Sequence, residues 1–144
     1  MKRACVIAQL ICVCSLTPVS AEPMTLLTTP DLTKELFGIH MFGHEQSSGM
    51  LFDECIEPSG QTVYRTQMDE AAQRYSEHGQ LEITQVAQAC FSYPPGSDPD
   101  PSCFRVFRYN DGYVFDSVDT GQRFIAERIV RNVFECPEPG EFLS

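Results

Sequence analysis

The sequence predicts a mainly β fold: a single small antiparallel β-sheet or barrel-like domain with one or two short helices, after a cleaved signal peptide. Three observations carry that expectation. Short runs of β-branched and aromatic residues recur along the chain, separated by Gly, Pro, Asn and Asp. Asn110-Asp111-Gly112 lies between two apolar runs and is the clearest hairpin signal. Cys55, Cys90, Cys103 and Cys136 all follow an apolar leader, the pattern of a small exported domain stapled by disulfides.

The leader sets the compartment. Lys2 and Arg3 precede an apolar run from Ala4 to Leu16, and Val19-Ser20-Ala21 offers small residues for a cut before Glu22. The run is too short to span a bilayer, and no later stretch approaches the roughly 20 apolar residues that a span requires. Ile11 and Val13, not small residues, precede Cys12 and Cys14, which speaks against a lipid-anchored start. The expected organisation is a signal peptide over 1–21, a flexible lead over 22–30, a disulfide-bonded β-rich domain over 31–136 and a polar tail over 137–144. The expected location is exported, periplasmic or secreted.

Each element follows from local signals. Thr29-Pro30-Asp31 reads as a helix start, with Leu32, Leu36 and Phe37 on one face and Gly38 as the stop. Ile39 to Phe42 begins a strand. Met50 to Ile56 and Gln61 to Arg65 form a hairpin about Pro58-Ser59-Gly60. Met68, Ala71, Ala72 and Tyr75 have helical spacing, so 67–77 reads as a helix ending near His78 and Gly79, with a loop insertion between strands as the alternative. Leu81 to Val86 and Ala89 to Tyr93 are short strands. A three-residue turn at Asn110-Asp111-Gly112 is preferred over a two-residue turn at Asp111-Gly112, because it pairs Tyr109 with Tyr113 and Phe107 with Phe115. Arg123 to Phe134 gathers Ile125, Ile129, Val130 and Val133 on one side as a helix, yet four β-branched residues favour a strand.

The four retained cysteines allow three pairings. Cys90 and Cys103 flank a proline-rich loop, which favours Cys90–Cys103 and leaves Cys55–Cys136 as the long-range tie. No C-x-x-C pair is present and the spacings are wide, so neither zinc nor any other cofactor is expected.

Charge narrows the partners. The whole chain carries −10, and the part beyond residue 21 carries −12, because Lys2 and Arg3 leave with the leader. That balance argues against nucleic acid and anionic membrane surfaces, both of which need clustered Lys or Arg. It suits, first, a protein kept soluble by its charge in a crowded compartment, and second, a binder of a cationic exported partner, with Asp53, Glu54 and Glu57 as the candidate acidic face. Arg105, Arg108, Arg123, Arg128 and Arg131 crowd the C-terminal third and are expected mainly to pair with acids from the other half.

No catalytic signature stands out. His40 and His44 share a face beside Glu45, but H-E-x-x-H is absent because Ser48 takes the second histidine's place. Ser59 lacks the G-x-S-x-G frame of a hydrolase elbow. The aromatic residues remain, read first as core. A sharper reading makes Arg105, Phe107, Tyr109, Tyr113 and Phe115 a small pocket in which arginine fixes the carboxylate of an acidic amphiphile.

Ser48-Gly49-Met50, Glu54-Cys55-Ile56, Ala89-Cys90-Phe91-Ser92-Tyr93 and Cys103-Phe104-Arg105-Val106-Phe107-Arg108 resemble short exported proteins of alphaproteobacteria. These combine a signal peptide with a small β domain. The resemblance implies a periplasmic setting and a strand for the C-terminal segment, and it implies no substrate. The leading expectation is a non-enzymatic periplasmic binding or interaction module for a small amphiphile or an exported protein. The alternative is a small periplasmic hydrolase whose carboxylates converge with His40 or His44 on folding.

Overall fold

A computed structural model describes residues 23–67, 75–93 and 101–137. The chain runs through β1 (Thr25–Leu26), α1 (Thr29–Leu36), β2 (Ile39–Glu45), β3 (Leu51–Ile56), β4 (Gln61–Gln67), β5 (Tyr75–Ile83), β6 (Ala89–Ser92), β7 (Ser102–Tyr109), β8 (Gly112–Ser117) and β9 (Arg123–Arg131). From β2 onward every strand pairs antiparallel with the next, and β9 returns to pair with β2. The result is a closed eight-stranded up-and-down barrel, the barrel-like form of the expected fold. Closure removes the bare edges that an open sheet would present.

At its two described ends the helix expected over 67–77 is replaced by strand. Gln67 ends β4 and Tyr75 begins β5, while 68–74 lie outside the described residues. From Glu77 to Ile83 burial alternates: His78, Gln80 and Glu82 are exposed, and Leu81 is buried. Tyr75, Ser76 and Glu77 pair with Thr66, Arg65 and Tyr64 of β4, so the end of the expected helix is strand, while Met68, Ala71 and Ala72, which carry most of the helical spacing, lie outside the described residues. His78 and Gly79 are therefore strand residues, not a helix end.

Part of the expected flexible lead is docked. Thr25 and Leu26 pair with Arg108 and Phe107, the stretch of β7 that β6 leaves unpaired, and Leu27 is fully buried. α1 follows at once. Its cap is Thr28, one residue before the expected position: the Thr28 backbone N–H and hydroxyl donate to Asp31 Oδ2 at 3.0 and 2.6 Å. Thr29 is instead free to donate to the Thr84 carbonyl at 3.1 Å, tethering the helix to the β5–β6 turn. Leu32 and Leu36 are fully buried, and Glu35 pairs with Arg108 and accepts from the Tyr113 hydroxyl at 3.1 Å. α1 thus closes one end of the barrel.

Two glycines set close approaches. At Gly43 a Cβ would lie 1.8 Å from the Ile125 carbonyl oxygen, where β2 and β9 draw together and their register shifts. That shift leaves Glu127 as the extra residue of a β-bulge. At Gly112 a Cβ would lie 2.0 Å from the Ala126 carbonyl oxygen. Gly112 is therefore a strand residue opposite Tyr109, and the turn is Asn110-Asp111, with Asn110 at φ +50°. Both turns weighed from the sequence gave a different register. Phe107 faces Val114, Val106 faces Phe115, and Arg105 faces Asp116.

Both expected disulfides form. Cys90 and Cys103 face each other across β6 and β7, and Cys55 joins Cys136 beyond the end of β9. The segment from Arg123 is a strand, as preferred. Among the described residues no helix is long and apolar enough to cross a membrane.

Candidate functional site

Barrel strands alternate inward and outward side chains, so each strand contributes every second residue to the interior. Met41, Phe52, Tyr64, Phe91, Phe104, Phe115 and Phe124 arrive by that rule from seven strands and line a cavity of about 440 Å³. Alternate inner rings meet edge to face: Phe52–Phe124 at 5.6 Å, Phe104–Phe124 at 5.8 Å and Phe104–Phe115 at 6.1 Å. The exposed residues Pro101, Ser102, Asp119, Thr120 and Gln122 form its mouth at the end opposite α1. A volume of this size lies in the range of small-molecule sites.

Glu54 is the polar feature of this interior. It is only 3% exposed, and its Oε2 accepts from the Tyr93 hydroxyl at 2.9 Å. Its Oε1 is buried with no hydrogen-bond partner, as is the hydroxyl of the equally buried Thr62. Burial pushes the Glu54 carboxyl up to about 8; Tyr93 and Thr62 lie close enough to oppose that rise, while Asp53 and Glu77 add to it. Thr62 does so by proximity, without a hydrogen bond of standard geometry. Burial, with Glu54 nearby, also raises the Tyr64 and Tyr93 phenols. Among the described lining residues Glu54, Glu77 and Asp119 are acidic and none is basic.

Of the five residues expected to form a pocket, only Phe115 lines the cavity. Tyr113 is buried at the closed end, where its hydroxyl accepts from Arg131 Nη2 at 2.8 Å and donates to Glu35. Arg105 is exposed, and Phe107 and Tyr109 share its face of β7, opposite the face of Phe104 and Val106. The one-residue difference in hairpin register explains the correction, because it exchanges the faces of β7 relative to β8. An acidic amphiphile consequently finds no arginine among the described lining residues.

The other arginines are placed by contact rather than as an anion site. Arg108 pairs with Glu35, and Arg123 donates to Asp116 at 2.5 and 2.9 Å within its own third of the chain. Arg128 lies 3.7 Å over the Phe42 ring.

The outer face of β2, β3 and β4 holds a second cluster. His40 Nε2 and Asp53 Oδ2 are 2.7 Å apart, and Arg65 donates to the same oxygen through Nε and Nη2 at 2.9 and 2.7 Å. The hydrogen bonds and charges of His40 and Arg65 outweigh partial burial and hold the Asp53 carboxyl below its usual value. His40 is 1% exposed and stacks near Phe42. His44 stands apart, 3.6 Å from Glu127. Glu45 is turned into the β2–β3 turn, where the Ser48 and Ser47 hydroxyls and backbone N–H groups lower its carboxyl to about 2. That turn covers Glu45 to 3% exposure, yet little protein lies beyond it, so desolvation offsets the hydrogen bonds only weakly. The His40, His44 and Glu45 grouping therefore does not converge.

The acidic face also separates. Glu54 points inward, Asp53 is held by Arg65 and His40, and Glu57 accepts from the Cys136 backbone N–H at 3.0 Å. Sequence reading missed Glu54 as a cavity group, although Phe52-x-Glu54-x-Ile56 places a carboxylate on the buried parity of a strand. Comparison with known proteins finds no matching family model, no matching curated protein and no matching solved structure.

Proposed function

We propose that this protein is an exported binding protein whose barrel interior takes one small ligand with a ring-sized apolar body. The observation that carries the reading is the 440 Å³ aromatic cavity, which opens at one end and is closed by α1 at the other. Eight strands give a barrel just wide enough to be filled by side chains or to hold one small ligand. Here large rings line the space without filling it. The two disulfides support an oxidising, exported setting.

A hydrolase finds less support. A general base must reach its substrate, whereas His40 is covered and its Asp53 partner is engaged by Arg65. Recognition of a cationic protein through Asp53, Glu54 and Glu57 is weakened by the dispersal of those three side chains.

The test is titration with N-phenyl-1-naphthylamine, a neutral apolar dye that brightens on leaving water. Wild type should show saturable one-site binding. Ser102→Trp, which places a bulky ring at the mouth, should abolish it with the far-ultraviolet circular dichroism unchanged. Absence of saturable binding to wild type, or equal binding by the folded variant, would overturn the proposal.

A further inference from the structure

We infer that the ligand of this cavity carries a cationic amine, received by the Glu54 carboxylate deep in the barrel. The inference rests on the binding reading above and adds the chemistry of the ligand's head.

Two observations converge on it. Glu54 lines the cavity, and its Oε1 is buried without a donor while Tyr93 holds Oε2 at 2.9 Å. An unpaired buried acceptor is costly, and a ligand N–H aimed at Oε1 removes that cost. The second observation is the polarity of the lining: among its described residues three are acidic and none is basic. Tyr64 on β4 faces Glu54 in register, Glu77 lies next along on β5, Tyr93 follows β6 and Asp119 stands at the mouth, while Asp53, next to Glu54 on β3, is met on the outer face by Arg65 and His40. Met41 is the register partner on β2 and carries no charge. An anionic head would meet carboxylates and no basic lining residue among those described. A cation would meet a carboxylate and aromatic rings, both of which attract it.

The proton balance is simple. The empty cavity holds Glu54 mainly as the neutral acid at pH 7, since its carboxyl titrates at about 8. Binding an ammonium favours the carboxylate, so the carboxyl proton leaves to solvent as the ion pair forms. Affinity for an amine should therefore rise with pH up to about 8. A neutral ligand should show no such rise.

Three probes of equal bulk test this: 2-(1-naphthyl)ethylamine, 2-(1-naphthyl)ethanol and 1-naphthylacetate, each displacing the neutral dye from the full mature chain. At pH 7.5 the amine should bind wild type at least about tenfold more tightly than the alcohol, roughly the effect of one charge-assisted hydrogen bond. The acetate should bind weakest. Glu54→Gln keeps the shape and an acceptor for Tyr93, and should bring amine and alcohol within about twofold. Calorimetry of amine binding in two buffers of different ionisation enthalpy should show proton release with wild type and none with Glu54→Gln. Equal binding of amine and alcohol to wild type, or an amine preference retained in Glu54→Gln, overturns the inference. If the dye binds but no amine displaces it, the amine inference fails and the cavity reading stands. If the dye does not bind, both fail.

Discussion

Replacing Glu54 with Gln should change how stability depends on pH, in a direction and by an amount that follow from burial. In the folded barrel the Glu54 carboxyl titrates at about 8, against 4.5 for an ordinary glutamate. Between those values the folded chain keeps a proton that the unfolded chain has released. The folded state then binds more protons, so stability falls as pH rises. The contribution is fully present below pH 4.5 and is lost as pH climbs to about 8. At about 1.4 kcal/mol per pH unit the loss across this window is on the order of 5 kcal/mol, a large share of a typical domain's stability. Asp53 and Glu45, both with lowered carboxyls, titrate below the window and leave its slope unaffected. Glutamine cannot ionise, so the variant should lose this slope. Urea unfolding at pH 5.0, 6.5 and 8.0, followed by circular dichroism, measures it. Wild type should weaken progressively relative to Glu54→Gln, and the variant should be the more stable by several kcal/mol at pH 8. Parallel profiles would refute the reasoning, because they would mean that Glu54 meets water or a counter-charge in the folded state.

Other outcomes follow from covalent and backbone geometry. The double substitution Cys55→Ala with Cys136→Ala opens an 81-residue link and should cost about 4–5 kcal/mol, against about 3 for the 13-residue Cys90–Cys103 link. Equal shifts in urea unfolding would contradict the loop-entropy argument. Gly43→Ala forces a Cβ to within 1.8 Å of the Ile125 carbonyl oxygen, so β2 and β9 must separate. Its thermal midpoint should fall well below that of Gly49→Ala, which meets nothing within 4 Å and suffers only the strain of φ +71°, about 1 kcal/mol. Glu45 contributes stability above pH 4.5 that is lost as pH falls to about 2. Glu45→Gln should therefore show a shallower acid transition between pH 4 and 2 by circular dichroism, and coincident acid transitions would exclude the role.

The parts of this fold legible in sequence are those set by local chemistry. Pro30 and Asp31 mark α1, Pro58-Ser59-Gly60 marks the β3–β4 turn, and a proline-rich segment between cysteines marks the Cys90–Cys103 pair. The β-branched residues of Arg123–Arg131 favour a strand, and a strand is what pairs with both β2 and β8. The illegible parts depend on distant partners. Gly112 resembles a turn glycine, but its lack of a side chain serves the approach of Ala126 from another strand. That single reassignment moves the turn to Asn110-Asp111 and sends Arg105, Phe107 and Tyr109 to the outer face. β5 is similar, since Tyr75–Glu77 are strand through pairing with β4, a partner that local spacing does not reveal. Glu54 is intermediate: its parity was readable, but whether the buried side of β3 meets packed core or open space depends on closure between β2 and β9.

That closure also imposes an order in time. Ile39 pairs with Arg131 and His44 with Ile125, so the ring stays open until nearly the whole described chain has emerged. Successive hairpins from β2 to β8 can zip as they appear, while the last seam carries the loop-closure penalty of a high-contact-order fold. Cys90 and Cys103 become neighbours once β6 and β7 meet, whereas Cys55 waits for Cys136. Oxidation should thus proceed from the short loop to the long one, with the second bridge locking a ring already shut. A chain halted before β9 would present β2 and β8 as two bare edges beside an unspent thiol at Cys55.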